Sequence, residues 1–157
     1  MISATCHPAE EVRIEVVHAL NVLDTAAAAQ FDAITKVAAT LCHAPIALVS
    51  LVDRHRQWFK SVVGLPPDVT ETSRDAAFCA HAILDHDVME VKDASVDERF
   101  HDNPLVTGDP NIRFCAGQPL IVAGMPVGTL CVIDSVARKL STSQRIALKL
   151  HEPSTRA

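Results

Sequence analysis

Ile46-Ala47-Leu48-Val49-Ser50-Leu51-Val52 is apolar at every position but Ser50, and Asp53-Arg54-His55-Arg56 separates it from Gln57-Trp58-Phe59-Lys60-Ser61-Val62-Val63. A seven-residue apolar run is short for a helix and reads as a strand covered on both faces, near the middle of a sheet. The charged tetrad is a turn, so the second run comes back beside the first as a β-hairpin. In the returning strand the alternation sends Trp58, Lys60 and Val62 one way and Phe59, Ser61 and Val63 the other. A second hairpin is expected near the C-terminal end, where an extended stretch from Ile112 to Val122 turns at Ala123-Gly124-Met125-Pro126 into Val127 to Asp134. There Val127, Thr129, Cys131 and Ile133 share one face, and Gly128, Leu130 and Val132 the other. Parallel neighbours would require long crossovers that these tight turns exclude. The fold class is therefore α+β, with a central, mainly antiparallel sheet flanked by helices on both faces.

Working outward, Pro8 opens a helix over about 8–21 with Glu10 and Glu11 at its positive end and Val12, Val16, Ala19, Leu20 and Leu23 on one stripe. Asp24 or Thr25 is placed to cap a second helix over about 26–43, which Pro45 ends. After the loop at Gly64-Leu65-Pro66-Pro67-Asp68, Ser73 caps a third helix over roughly 74–85, and Val88 to Val91 forms a short strand. Ser141-x-x-Gln144 matches a capping box for a last helix that Pro153 limits. The chain is expected to be a single domain over 1–157, with its core at about 14–150 and flexible ends at 1–7 and 153–157.

Between these elements lies Asp97 to Leu120, rich in Pro, Gly, Asn and Asp and without sustained periodicity before Ile112. Loops of this length are usually functional or disordered, and Phe100, Leu105, Val106, Ile112 and Phe114 argue for a folded lid or pocket wall.

Composition narrows the function classes. The 157 residues are 48% hydrophobic but only 4% aromatic, with a net charge of −5, one Trp and no Tyr. That leaves little to grip a phosphate backbone or stack on bases, so no nucleic-acid partner is expected. No apolar run reaches the ~20 residues of a membrane span. Five cysteines, an odd number, and an N-terminus without a secretory layout point to reduced thiols in a cytoplasmic protein.

Several of these segments together resemble the GAF domain of bacterial signalling proteins, of the type that precedes histidine kinase or diguanylate cyclase modules. The resemblance covers about residues 14–150. It is carried by Leu20-Asn21-Val22-Leu23-Asp24-Thr25 before Phe31-Asp32, by Pro45 to Asp53, and by Arg56-Gln57-Trp58-Phe59-Lys60-Ser61. It continues in Glu71-Thr72-Ser73-Arg74-Asp75, Phe78-Cys79-Ala80-His81-Ala82-Ile83, Asp102-Asn103-Pro104-Leu105-Val106 and Gly128-Thr129-Leu130-Cys131-Val132-Ile133-Asp134. Cys115 stands where similar sequences carry Tyr. The resemblance implies a GAF-like (profilin-like) fold, terminal helices on one face of the sheet, and a small-molecule pocket on the other beneath the 97–120 lid. It also implies a regulatory, non-enzymatic role, with signalling through a separate effector or as a fragment of a longer product.

The candidate ligand-binding residues are Arg74, Asp75, Phe78, Cys79, His81, Arg99, Phe100, Asn103, Arg113, Cys115 and Thr129. Arg74, Asp75, Arg99, Asn103 and Arg113 would recognise a small anionic or polar ligand through fixed forks, or else tie down the lid internally. Cys79 and His81 are two residues apart, about 200° around a helix, which does not suit a shared metal. Neither haem nor bilin is expected as a cofactor, since no His spacing favours haem and Ala80 separates Cys79 from His81. The alternative to a sensor is a thiol redox enzyme, resembling the free methionine sulfoxide reductases within the family, if Cys79, Cys115 and Cys131 meet in space. A ligand-free interaction module is a third reading. Val12, Val16, Leu20, Ile146 and Leu150 are candidates for a homodimer interface through the terminal helices, with core packing as the other use.

Overall fold

Six strands pair into one antiparallel sheet in the order β3-β2-β1-β6-β5-β4, where β1 is Ile46–Val52, β2 Arg56–Val63, β3 Glu71–Ser73, β4 Met89–Val91, β5 Phe114–Val122 and β6 Met125–Asp134. The computed structural model describes residues 1–150. The expected stop at Pro153, the flexible end at 153–157 and the side chain of Leu150 lie outside them.

Both hairpins form as the sequence implies. β1 is buried at all seven positions because it lies between β2 and β6 with side chains packed above and below it. Ala123 and Gly124 form the β5–β6 turn at φ +50° and +77°. That pairing of positive angles matches the right-handed twist of the flanking strands.

Two bulges change the expected alternation. The β1–β2 register slips between Val49 and Ser50, so Val49 opposes Ser61, Ser50 opposes Phe59, and Lys60 is left over. An extra residue reverses the faces beyond it. Phe59 therefore packs on the same side as Val62, while Ser61 turns to the second helix and donates to Asp32 at 2.6 Å. In β6 a slip between Leu120 and Ile121 takes Val127 out of the set with Cys131 and Ile133 and packs it with Leu130 and Val132.

Three helices cover one face: α1 (Glu10–Ala19), α2 (Ala29–Leu41) and α5 (Thr142–Leu150). Val17, Ala38 and Leu148 anchor them against Val49, Leu130 and Val132 of the sheet. Each fully buried aliphatic side chain of this kind contributes roughly 1.5–3 kcal/mol. The capping box at α5 is reciprocal, with Gln144 N donating to Ser141 Oγ at 3.1 Å and Ser141 N to Gln144 Oε1 at 3.0 Å. α2 lacks the expected side-chain cap, because Asp24 pairs with Arg56 and Thr25 Oγ1 donates to Val22 O.

The buried face of α1 is Arg13, Ile14 and Val17 rather than the stripe headed by Val12, which is 51% exposed. The shift follows from Arg13, whose fully buried guanidinium donates to Val52 O at 2.7 Å and Pro126 O at 3.3 Å and pairs with Glu10.

The opposite face carries α3 (Phe78–Ala82), α4 (Pro104–Thr107), two 3-10 turns at Arg74–Ala76 and Ala94–Val96, and loops. The single helix expected over 74–85 is thus divided. Ser73 Oγ caps the 3-10 turn by accepting from Asp75 N, and Ala77 is extended at φ −79°, ψ 124° before α3 begins. The first residues, expected to fray, lie against this layer: Ile2 N donates to Arg99 O at 3.2 Å, and the terminal amine pairs with Asp102.

Candidate ligand cavity

A cavity of about 480 Å³ lies between the sheet and the α3/α4 layer. Ile46 and Leu48 of β1, Gln57 and Phe59 of β2, and Cys131 and Ile133 of β6 form its floor. Phe78 and Cys79 of α3 make one wall, Leu65, Pro66 and Val69 another, and Leu105, Asp109, Pro110 and Ile112 of the lid close it.

The lid is held by specific contacts. Asn103, 1% exposed, caps α4 by accepting from Leu105 N at 2.8 Å and donates from Nδ2 to Ala76 O at 3.0 Å. Pro104 follows it at the first helical position, where its missing N–H is harmless. Phe100 stacks on Phe78 with ring centroids 4.0 Å apart and planes 8° from parallel, tying the lid to the cavity wall.

A buried polar row crosses one end of the floor. Gln57 Nε2 donates to Ser50 Oγ at 2.9 Å, the Ser50 and Thr129 hydroxyls are 3.3 Å apart, and Thr129 Oγ1 donates to Cys79 Sγ at 2.9 Å. Thr72 Oγ1 reaches Gln57 Oε1 at 3.4 Å. These bonds explain how Ser50 is tolerated in a central strand, since a buried hydroxyl without a partner would be destabilising.

Three thiols meet beside that row. Cys115 Sγ and Cys131 Sγ are 3.4 Å apart, and Cys131 also hydrogen-bonds with Cys79. Contacts with Cys115 and Cys79, reinforced by burial, push the Cys131 thiol well above its usual range. Hydrogen bonding from Cys131 favours the ionised form of Cys79, against the opposing effect of burial, and Thr129 adds to it.

Of the candidate ligand-binding residues, only Phe78 and Cys79 line the cavity. Thr129, Cys115, Phe100 and Asn103 stand one layer behind it. The arginine forks are engaged elsewhere. Arg74 pairs with Glu10 at 2.6 Å, Arg99 with Asp97 at 3.1 Å, and Arg113 donates to Val106 O and Ile112 O at 2.9 and 3.0 Å. Arg99 and Arg113 thus close on partners within the lid, and Arg74 on α1. Asp75 is exposed, its carbonyl accepting from Ser3 Oγ, and His81 places Nε2 3.0 Å from Ile2 O with its ring edge-on to Phe100. Burial lowers the His81 pKa. Among the described residues no three His, Cys, Asp or Glu side chains converge into a metal-binding group.

Sequence reasoning passed over Gln57, Thr72, Leu65 and Asp109. The period-two alternation through Ile46, Leu48 and Ser50 carried the signal for the floor, because every second residue of a central strand shares a face.

A six-stranded antiparallel sheet with three helices on one face and a lidded cavity on the other defines an α+β domain of the GAF-like type. The chain belongs to the GAF domain family, which matches residues 27–150. It is 43% identical over 143 residues to a cyclic di-GMP phosphodiesterase of Pseudomonas aeruginosa, an alignment that covers 90% of this chain and 24% of that protein. The chain thus spans about a quarter of that relative's length. Its fold is similar to the type II free methionine-R-sulfoxide reductase of Thermoplasma acidophilum, with a TM-score of 0.63 at 13% identity over 88% of this chain and 89% of the other. It is also similar to the GAF domain of an Acinetobacter phosphoenolpyruvate-protein phosphotransferase, with a TM-score of 0.61 at 15% identity over 88% and 87% of the two chains. At such identities the likeness concerns the fold alone. The chain is a GAF domain of the kind carried by signalling proteins. No helix among the described residues is long and apolar enough to cross a membrane.

Proposed function

We propose that this GAF domain is a small-molecule-binding sensory module of the cytoplasm that regulates a signalling output. The observation that carries the reading is the cavity of about 480 Å³, which has a preformed apolar wall, a satisfied polar row at one end and a tethered lid. Such a combination is the usual form of a small-ligand site. The identity shared with a cyclic di-GMP phosphodiesterase supports an output of that kind. Ligand binding would bias the packing of the terminal helices, either within one chain or across a homodimer. Val12 and Ile146, each 51% exposed, are available for that contact, whereas Val16 and Leu20 are partly buried against the domain's own core. A ligand can shift that packing only if it binds one state more tightly than the other.

Native mass spectrometry of the purified protein tests the reading. A small molecule should co-purify, and Ile133→Trp, which fills the cavity from its floor, should expel it while circular dichroism stays unchanged. A folded protein that carries nothing and takes up no probe would remove the sensory assignment.

The meeting of Cys79, Cys115 and Cys131 favours thiol redox chemistry as a second reading. A Cys79 thiolate would attack the sulfur of a sulfoxide and take its oxygen as a sulfenic acid, releasing the thioether. Cys131 would then attack that sulfenic sulfur, expelling water and leaving a disulfide for an external dithiol to reduce. Reduction of free methionine sulfoxide that disappears in Cys79→Ser would support it, and no turnover above the Cys79→Ser background would exclude it.

A further inference from the structure

We infer that the cavity takes an uncharged ligand with an apolar body and one hydrogen-bonding head, such as an amide or an alcohol, and not a phosphate- or carboxylate-bearing metabolite. The inference rests on the reading of this cavity as a ligand site. No Lys, Arg or His is among the residues that line it. The guanidiniums that could have turned inward are held elsewhere: Arg74 by Glu10, Arg99 by Asp97, and Arg113 by two lid carbonyls. α3, with five residues, is too short for its dipole to replace a cation. The one carboxylate on the wall is Asp109, at the lid, and it would repel an anion.

A buried anion needs a paired charge or several donors, and without them its lost hydration is uncompensated. The two phosphates of a cyclic dinucleotide would meet that problem twice. The substrate of the phosphodiesterase relative therefore does not suit this wall, although it belongs to the same signalling chemistry.

What the wall does offer is neutral. Gln57 is 5% exposed, spends one amide N–H on Ser50 at 2.9 Å, and receives only a long 3.4 Å contact at Oε1 from Thr72. The Cys79 thiol is a further hydrogen-bond partner of the Gln57 side chain, and what is left open is most of the acceptor capacity of Oε1. The N–H of an amide head or the O–H of an alcohol can donate to it, while the apolar body lies against Ile46, Leu48, Phe59, Phe78 and Ile133.

Isothermal titration calorimetry at neutral pH with octanamide, octanoate, octylamine and cyclic di-GMP tests the ligand class on the whole chain. Octanamide should bind, and octanoate and cyclic di-GMP should bind on the order of 100-fold more weakly or not measurably. Ile133→Trp should abolish octanamide binding. Should that variant misfold, Leu65→Trp in the outer wall replaces it, and octanamide binding that survives a folded cavity-filled variant overturns the site. Binding of octanoate, octylamine or cyclic di-GMP as tight as that of octanamide overturns the ligand class and leaves the sensory reading standing. A co-purifying molecule that binds when none of the four does decides the matter by its charge, a neutral one supporting the inference and an anionic or cationic one overturning it. A protein that binds none of the probes and carries no molecule overturns the sensory reading itself.

Discussion

Arg74 closes on Glu10 with Nη1 2.6 Å from Oε2, across 64 residues of sequence, and Glu10 also receives Arg13 through Nε at 2.9 Å and Nη2 at 3.0 Å. One carboxylate thus joins α1, the edge of the cavity layer and, through Arg13, the ends of two central strands. The arrangement suits Arg, whose planar fork can bridge a carboxylate and backbone carbonyls at once.

The network makes stability acid-sensitive. Burial alone would raise the Glu10 pKa, but hydrogen bonds and charge from Arg13 and Arg74 bring it from 4.5 to about 2. A folded-state pKa below the unfolded one contributes stability that is complete above about 4.5 and lost as pH falls towards 2. The shift corresponds to roughly 3 kcal/mol. Urea denaturation from pH 7 to pH 2 should show that loss in the native protein. Glu10→Gln should be less stable at pH 7 by about 3 kcal/mol, since it leaves two guanidiniums without their counter-charge, and should vary less below pH 4.5. An unchanged acid slope in the variant would assign the dependence to other carboxylates.

Gly128 is required by the approach of β1 to β6. A Cβ there would lie 1.8 Å from Ser50 O and 2.9 Å from Leu51 Cα, both backbone atoms of the central strand. Gly128→Ala must therefore separate the two strands or fail to fold, at a cost of about 3 kcal/mol or more. Gly124→Ala is the control: at φ +77°, with nothing within 4 Å, it should cost only about 1 kcal/mol through backbone strain. Equal denaturation midpoints for the two variants would count against this account.

These two sites also mark where the sequence stops being informative. The apolar run 46–52 with its charged turn leaves little freedom, so the hairpins, the antiparallel sheet and the covered faces could be read directly. The bulges at Val49/Ser50 and Leu120/Ile121 could not, because a bulge belongs to a pair of strands and leaves no mark on either one's composition. Arg13 was hidden for a related reason: a charged residue reads as solvent-facing unless its distant partners, Val52 O and Pro126 O, are known. The same blindness left Arg74, Arg99 and Arg113 open between a ligand and an internal tether, and each closes on a protein partner. The lid was legible because its length and apolar residues are local properties.

Thiol reactivity should report the cavity. Of the five free cysteines only Cys6 is exposed, while Cys42, Cys79, Cys115 and Cys131 are buried. Cys79 differs from Cys42 in lining the cavity, so a small uncharged methanethiosulfonate can approach it without global unfolding. Peptide mass spectrometry should find Cys6 modified first, Cys79 second, and Cys42 and Cys115 slower than Cys6 by more than about 10³-fold, since they wait on rare opening. A bound ligand should slow Cys79 and leave Cys6 unchanged. Labelling of Cys79 no faster than that of Cys42 would mean that the cavity gives no path to its floor.

The lid should open independently of the sheet, and Asn103 is the residue whose loss would reveal it. Its Nδ2 bond to Ala76 O ties α4 to the layer beneath and its Oδ1 caps α4 at Leu105 N, and both bonds are partly buried. Asn103→Ala removes both and leaves Ala76 O and Leu105 N unpaired, at a cost of about 2 kcal/mol. Phe100 on Phe78 holds the start of the lid, and the Arg113 guanidinium at its end reaches back to the Val106 carbonyl as well as its neighbour Ile112. The lost energy should therefore appear mainly as local opening of 104–112, which forms the cavity's outer wall through Leu105, Asp109, Pro110 and Ile112. Hydrogen exchange should accelerate about 30-fold at the amides of Val106 and Ile112, which bond to Asn103 O and Leu105 O, with little change in β1 and β6. Ligand dissociation should quicken in the same variant. Acceleration spread evenly over lid and sheet would instead make Asn103 part of the global folding unit and deprive the cavity of a separate gate.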